Sequence, residues 1–156
     1  MTNHIVLFQP QIPGNTGSIA RTCAGTYTHL HLIKPLGFST DDKMLKRAGL
    51  DYWDAVNINY YENIESFFET TEGKYYLLTK FGEKTYSDFD FTNEDENHYF
   101  IFGRETTGLP DWVKEKYKDT ALRIPMNDNI RSLNLSNTAS LLIYEALRQQ
   151  NFPNLH

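Results

Sequence analysis

The chain predicts an α/β fold with a largely parallel sheet flanked by helices. Short apolar runs rich in β-branched and aromatic residues alternate with amphipathic stretches, and polar, glycine-bearing loops follow three of the runs. At 156 residues the chain fits one domain, 1–156, long enough to bury a substantial core. Hydrophobic residues make up 40% and charged residues 22%, ordinary globular usage that favours neither disorder nor a fibrous class.

The first strand is expected from Ile5 to Gln9 and the first helix from Ser18 to Tyr27, joined by the Gly14-Asn15-Thr16-Gly17-Ser18 turn. A second strand follows from His29 to Lys34, then an amphipathic stretch from Asp41 to Gly49 that carries Lys43, Lys46 and Arg47. Ala55 to Tyr60 reads as a strand, Ile64 to Thr71 as a helix, and Lys74 to Lys80 as another strand. Phe81 to Asp90, with Gly82 and alternating charges, reads as a surface loop before the strand His98 to Phe102. Pro110 suits the first turn of a helix reaching Tyr117, because its missing amide hydrogen costs nothing there. After a strand from Ala121 to Ile124, Leu135, Ala139, Leu142, Ile143, Ala146 and Leu147 form one apolar stripe on a helix running to Gln150, and Pro153 helps to stop it.

Several functional classes are disfavoured at once. Cys23 has no partner for an intrachain disulfide, which suits a reducing cytoplasm, and its helical setting reads as a small buried apolar residue. The start of the chain shows no secretory signal, and no apolar run is long enough to span a membrane. A net charge of −5 argues against bulk coating of nucleic acid while leaving local recognition open. His4, His29, His31, His98 and His156 show no metal spacing; His29 and His31 share a strand face without a third ligand.

Three loops carry the candidate chemistry. Pro13 to Arg21 lies between a strand and a helix, where free amides can hold an anion, although Asn15 or Thr16 could equally serve as a helix cap. Arg21 is expected one turn deeper, facing the same space as Asn15. Phe102 to Pro110 brackets Arg104-Glu105-Thr106-Thr107 with two glycines at the carboxyl edge of the sheet, where open α/β folds place ligands; Glu105 could pair with an arginine, hold a ligand group or lie exposed. The third runs through Met126, Asn127 and Asp128 to Arg131-Ser132-Leu133-Asn134, more polar groups than a single cap needs.

Together the three segments resemble the signature motifs of the SPOUT superfamily of RNA methyltransferases: Asn15 with Arg21, the Gly103 to Pro110 loop, and Ser132-Leu133-Asn134-Leu135-Ser136-Asn137. The resemblance spans the chain and is strongest to minimal members, with no added RNA-binding domain, that methylate the 2′-hydroxyl of the wobble ribose at position 34, cytidine or modified uridine, in leucine tRNAs. It implies S-adenosylmethionine as methyl donor, a homodimer acting on the tRNA anticodon stem-loop, and a C-terminal deep trefoil knot, which general topology rules would reject. It implies a cofactor bent within the knot with its adenine held largely by backbone groups, a role that by motif falls to Leu77, Leu78, Thr79, Gly103, Ile124, Met126, Ser132 and Leu133. It also makes Arg21 the principal catalytic residue, with Asn15, Glu105 and Asn134 orienting it and the ribose. An arginine is too basic to be an ordinary general base, so electrostatic activation of the hydroxyl is the expected role. Arg104 stands where many relatives carry a proline, a departure that implies a less rigid loop and an arginine that could instead reach substrate phosphate. The competing expectations are a SPOUT enzyme acting on another tRNA position or on ribosomal RNA, and a noncatalytic RNA-binding relative.

Overall fold

The computed structural model describes residues 2–39, 43, 45, 47 and 53–156. Seven strands form one sheet: β1 (Thr2–Phe8), β2 (His29–Ile33), β3 (Ile58–Tyr61), β4 (Lys74–Leu78), β5 (Lys84–Thr85), β6 (Asn97–Phe102) and β7 (Ala121–Arg123). Their order is β3-β2-β1-β6-β4-β7-β5, and every ladder is parallel. The α-helices whose full bounds lie among the described residues are α1 (Pro13–Thr26), α2 (Ile64–Thr70), α3 (Asp111–Lys116) and α4 (Leu135–Gln149). Of the amphipathic stretch 41–49, only Lys43, Leu45 and Arg47 are described, all helical; the rest of it, Lys46 included, lies outside the described residues.

A parallel sheet needs crossovers on its faces, so its inner strands are covered on both sides. In β1, Ile5 and Leu7 pack with Ile19, Ala20 and Cys23 of α1 and with Leu142, Ile143 and Ala146 of α4. Val6 and Phe8, on the opposite face, join Ile64 and Phe67 of α2 and Val113 of α3. Cys23 is buried, and burial pushes its thiol pKa up, which keeps it unreactive. The amides of Asn3 and Gln150 bond reciprocally at 2.9 and 3.0 Å, tying the start of β1 to the end of α4.

Two expectations change. The first helix begins at Pro13 rather than Ser18, so Asn15 lies within its first turn and the residue at the cap is Ile12, which contributes no side-chain bond. Proline at the first helical position presets the backbone, and packing overrides the low helix propensity of Gly14 and Gly17. The segment read as a surface loop contains β5, which pairs with Leu122 and Arg123 at the sheet edge. Two residues carry too little periodicity to betray such a strand.

Candidate functional site

The strand order reverses between β1 and β6: β2 and β3 lie beyond β1, and β4 beyond β6. A crevice outside the carboxyl ends of the strands is expected at such a point. A cavity of about 820 Å³ occupies it, bounded by the chain after β1, β4, β6 and β7.

The first two loops are strapped together. Glu105 accepts hydrogen bonds from the backbone N–H of Gln11 (3.1 Å) and of Ile12 (3.4 Å), while Thr106 donates to the Gln11 side chain at 2.9 Å. The carboxylate thus supplies from across the crevice the cap that α1 lacks, and its charge sits favourably at the positive helix end. Glu105 is thereby a clamp between loops, a role that neither an ion pair nor an exposed carboxylate describes.

The β6 loop is held by its own backbone. Arg104 and Gly108 exchange hydrogen bonds, N–H to O, at 3.2 and 2.9 Å, and Gly108 adopts φ +73°, a conformation that favours glycine. Gly103 lies so close that a Cβ there would collide with the Gly108 carbonyl carbon and come within 2.6 Å of the Leu109 nitrogen. The absence of a side chain at Gly103 is what lets the two arms of this loop close on each other at the cavity wall.

After β7 the chain crosses the cavity mouth and enters α4 through Asn134. Its Oδ1 accepts from the backbone N–H of Ser136 (2.9 Å) and Asn137 (3.3 Å), a true N-cap, while its Nδ2 donates to Asn15 Oδ1 at 3.2 Å. The cap expected of Ser132 or Asn134 belongs to Asn134, which also joins the first and third loops. Met126, Ile130 and Leu133 expose apolar side chains along this mouth.

Asn15, Glu105 and Asn134 all line the cavity, as do Leu78, Thr79, Gly103, Ile124, Met126, Ser132 and Leu133. Leu77 does not: its side chain is fully buried with Val6 and Ile101 on the far face of the sheet, as strand alternation requires. Arg21 is exposed and is not among the lining residues. Six residues beyond Asn15 on one helix, it points about 120° away around the axis, so the two do not face a common space. The lining also includes Lys80 and Arg123, near the ends of β4 and β7, and Lys114 on α3. Counting residues to the ends of the predicted strands would have found the first two.

A second polar cluster lies away from the crevice. His4 Nδ1 and His31 Nε2 are 2.8 Å apart, and His31 Nδ1 lies 2.8 Å from the Tyr61 hydroxyl, with the His29 and Tyr99 rings against His4. Burial holds the His4 pKa down at about 4 and that of His31 at about 3, helped by the neighbouring imidazoles. Sequence spacing had paired His29 with His31 but missed His4, which the parallel register sets opposite His29.

The SpoU rRNA Methylase family model matches residues 2–144, so the chain belongs to that family. A Listeria monocytogenes serotype 4b (strain F2365) protein provisionally named tRNA (cytidine(34)-2′-O)-methyltransferase is 65% identical over 153 residues, covering 97% of this chain and 90% of its own length. The tRNA (cytidine(34)-2′-O)-methyltransferase of Methylovorus glucosotrophus (strain SIP3-4) is 49% identical over 150 residues, covering 95% and 96%. A solved structure described as giving structural insights into the 2-OH methylation of C/U34 on tRNA superposes with a TM-score of 0.87 at 39% identity, covering 96% of this chain and 97% of that one.

Proposed function

We propose that this chain transfers a methyl group from S-adenosylmethionine to the 2′-hydroxyl of the wobble ribose at position 34, cytidine or modified uridine, of leucine tRNAs in the cytoplasm. The observation that carries the reading is the convergence of three motif loops on one crevice, joined by the Glu105 clamp and the Asn134–Asn15 bond. The Listeria and Methylovorus relatives, named for cytidine 34, support the position. The cavity suits a nucleoside-sized ligand: its volume is in the usual range for small-molecule sites, and Ile124, Met126 and Leu133 offer apolar contact.

The sulfonium of the donor supplies an already activated methyl. Ser132, Leu133, Gly103 and Thr79 hold the donor in this reading, while Asn15 and Asn134 present paired amides that orient the ribose. Arg21 lowers the cost of negative charge at the 2′-oxygen as its proton leaves. Because Arg21 lies outside its own chain's cavity, we infer a homodimer in which the faces of α1 and α4 meet; exposed Tyr27 and Tyr144 supply apolar surface there. A deep trefoil knot is the threading we infer for the C-terminal part, supported by β7 lying between the earlier strands β4 and β5.

The test is to incubate purified protein with labelled S-adenosylmethionine and tRNA from a strain lacking the gene, then to locate the methyl group. Label at position 34 of leucine tRNAs is expected. Label elsewhere in tRNA or in ribosomal RNA moves the substrate, and no label in any RNA returns the chain to a binding role. Arg21→Ala should abolish transfer and keep cofactor binding; an active monomer in sedimentation would overturn the dimer.

A further inference from the structure

Arg104 lines the cavity in an unusual state. Its Nε is shielded from solvent and bonds to nothing, while the side chain as a whole is only half-buried. None of the ion pairs among the described residues includes it. The nearest carboxylate in sequence, Glu105, is directed at the Gln11 and Ile12 amides. A guanidinium partly stripped of water and facing no carboxylate is under-compensated, and an incoming anion relieves that state.

The surroundings indicate which anion. Lys80, Lys114, Arg123 and Arg131 line the same cavity, so five basic side chains face two acidic ones, Glu105 and Asp128, in a chain of net charge −5. Of the five, Lys114 is already paired, with Asp111 at 3.2 Å. A cofactor carboxylate carries one charge and needs one such partner; this surplus matches a polyanion crossing the mouth. The backbone under Arg104 is fixed by its two hydrogen bonds to Gly108, so the guanidinium is presented from a rigid platform.

We propose that Arg104 is a substrate-binding residue that takes a backbone phosphate of the RNA entering the cavity, and that it sets RNA affinity without contributing to cofactor affinity. This rests on the tRNA methyltransferase reading above. A contact of this kind registers the strand without reading its bases, so its loss weakens binding to any RNA alike.

The experiment uses the full-length protein, with Arg104→Gln, Arg104→Lys and, as a control cation outside the cavity, Lys118→Gln. KM for tRNA, its dependence on salt, and the Kd for S-adenosylmethionine are measured for each. Arg104→Gln is expected to raise KM for tRNA about tenfold, reduce the slope of log affinity against log salt by about one, and leave the cofactor Kd within twofold. Arg104→Lys should restore the salt slope and only part of the KM, because a point charge lacks the planar fork. Lys118→Gln should match wild type. A rise in cofactor Kd with unchanged tRNA KM would reassign Arg104 to the cofactor and overturn the proposal, as would unchanged values for all three measurements. Failure of wild type to methylate any RNA sinks the functional reading instead; the salt slope of RNA binding, read without turnover, still decides the role of Arg104.

Discussion

Asn134 and Asn15 stand 119 positions apart in sequence and share a 3.2 Å hydrogen bond between their side-chain amides. One side chain therefore starts the last helix with its oxygen and reaches the first helix with its nitrogen. The two roles separate by mutation. Asn134→Asp keeps an excellent cap but replaces the donor with a second acceptor facing Asn15, so methyl transfer should fall by an order of magnitude or more while thermal stability hardly moves. Asn134→Ala should lose the transfer and also about 1 kcal/mol of stability. Activity assays paired with urea denaturation distinguish the variants.

Glu105→Ala leaves the Gln11 and Ile12 amides without their acceptor. A loss of about 1 kcal/mol is expected, together with faster hydrogen exchange at Gln11 and Ile12. Glu105→Gln retains an acceptor oxygen and should recover part of both. Exchange protection unchanged in the alanine variant would rule out the clamp.

Gly103→Ala forces a methyl against the backbone of Gly108 and Leu109, which has no flexible end to give way. We expect a cost of about 1–3 kcal/mol and a cofactor affinity reduced at least tenfold, read by calorimetry with S-adenosylmethionine. Gly25, with nothing within 4 Å of its added Cβ, offers a matched control that should bind normally as Gly25→Ala.

The buried histidines predict acid sensitivity. Folded-state pKa values of about 4 for His4 and about 3 for His31 lie below the ordinary 6.5, so the unfolded chain takes up protons first as pH falls. The associated stability is present above about pH 6.5, declines below it, and is fully lost only near pH 3 to 4, a change on the order of a few kcal/mol. His29 and His98 are lowered in the same direction by burial and add to the slope. His31→Gln keeps hydrogen-bonding capacity toward His4 and Tyr61 but does not titrate, so its stability should vary less between pH 7 and pH 4 than that of the wild type.

Much of the frame was legible because the signals are periodic. The apolar stripe of Leu142, Ile143, Ala146 and Leu147 gave α4, and runs such as His98 to Phe102 gave the central strands, since both report burial directly. Strands of two or three residues report little: β5 was invisible, and the start of α1 was displaced because Gly14 and Gly17 look like a turn until tertiary contacts outweigh propensity. Within the site, strand-end loops marked Asn15, Gly103 and Asn134 correctly as neighbours of one crevice. Side-chain direction was beyond reach for Arg21, where a helix beginning five residues earlier fixes a different bearing.

The reciprocal amide pair of Asn3 and Gln150 joins the first strand to the last helix across 147 positions. Closing a loop of that span must precede the contacts that reward it, so the docking of α4 against the start of β1 is a late and slow step of folding. During synthesis Asn134, which caps α4 and meets Asn15, leaves the ribosome 119 residues after its partner. The crevice therefore stays open on the side of Asn15 until the segment that carries Asn134 has been made, and a truncation that removes Gln150 takes with it the staple between α4 and β1.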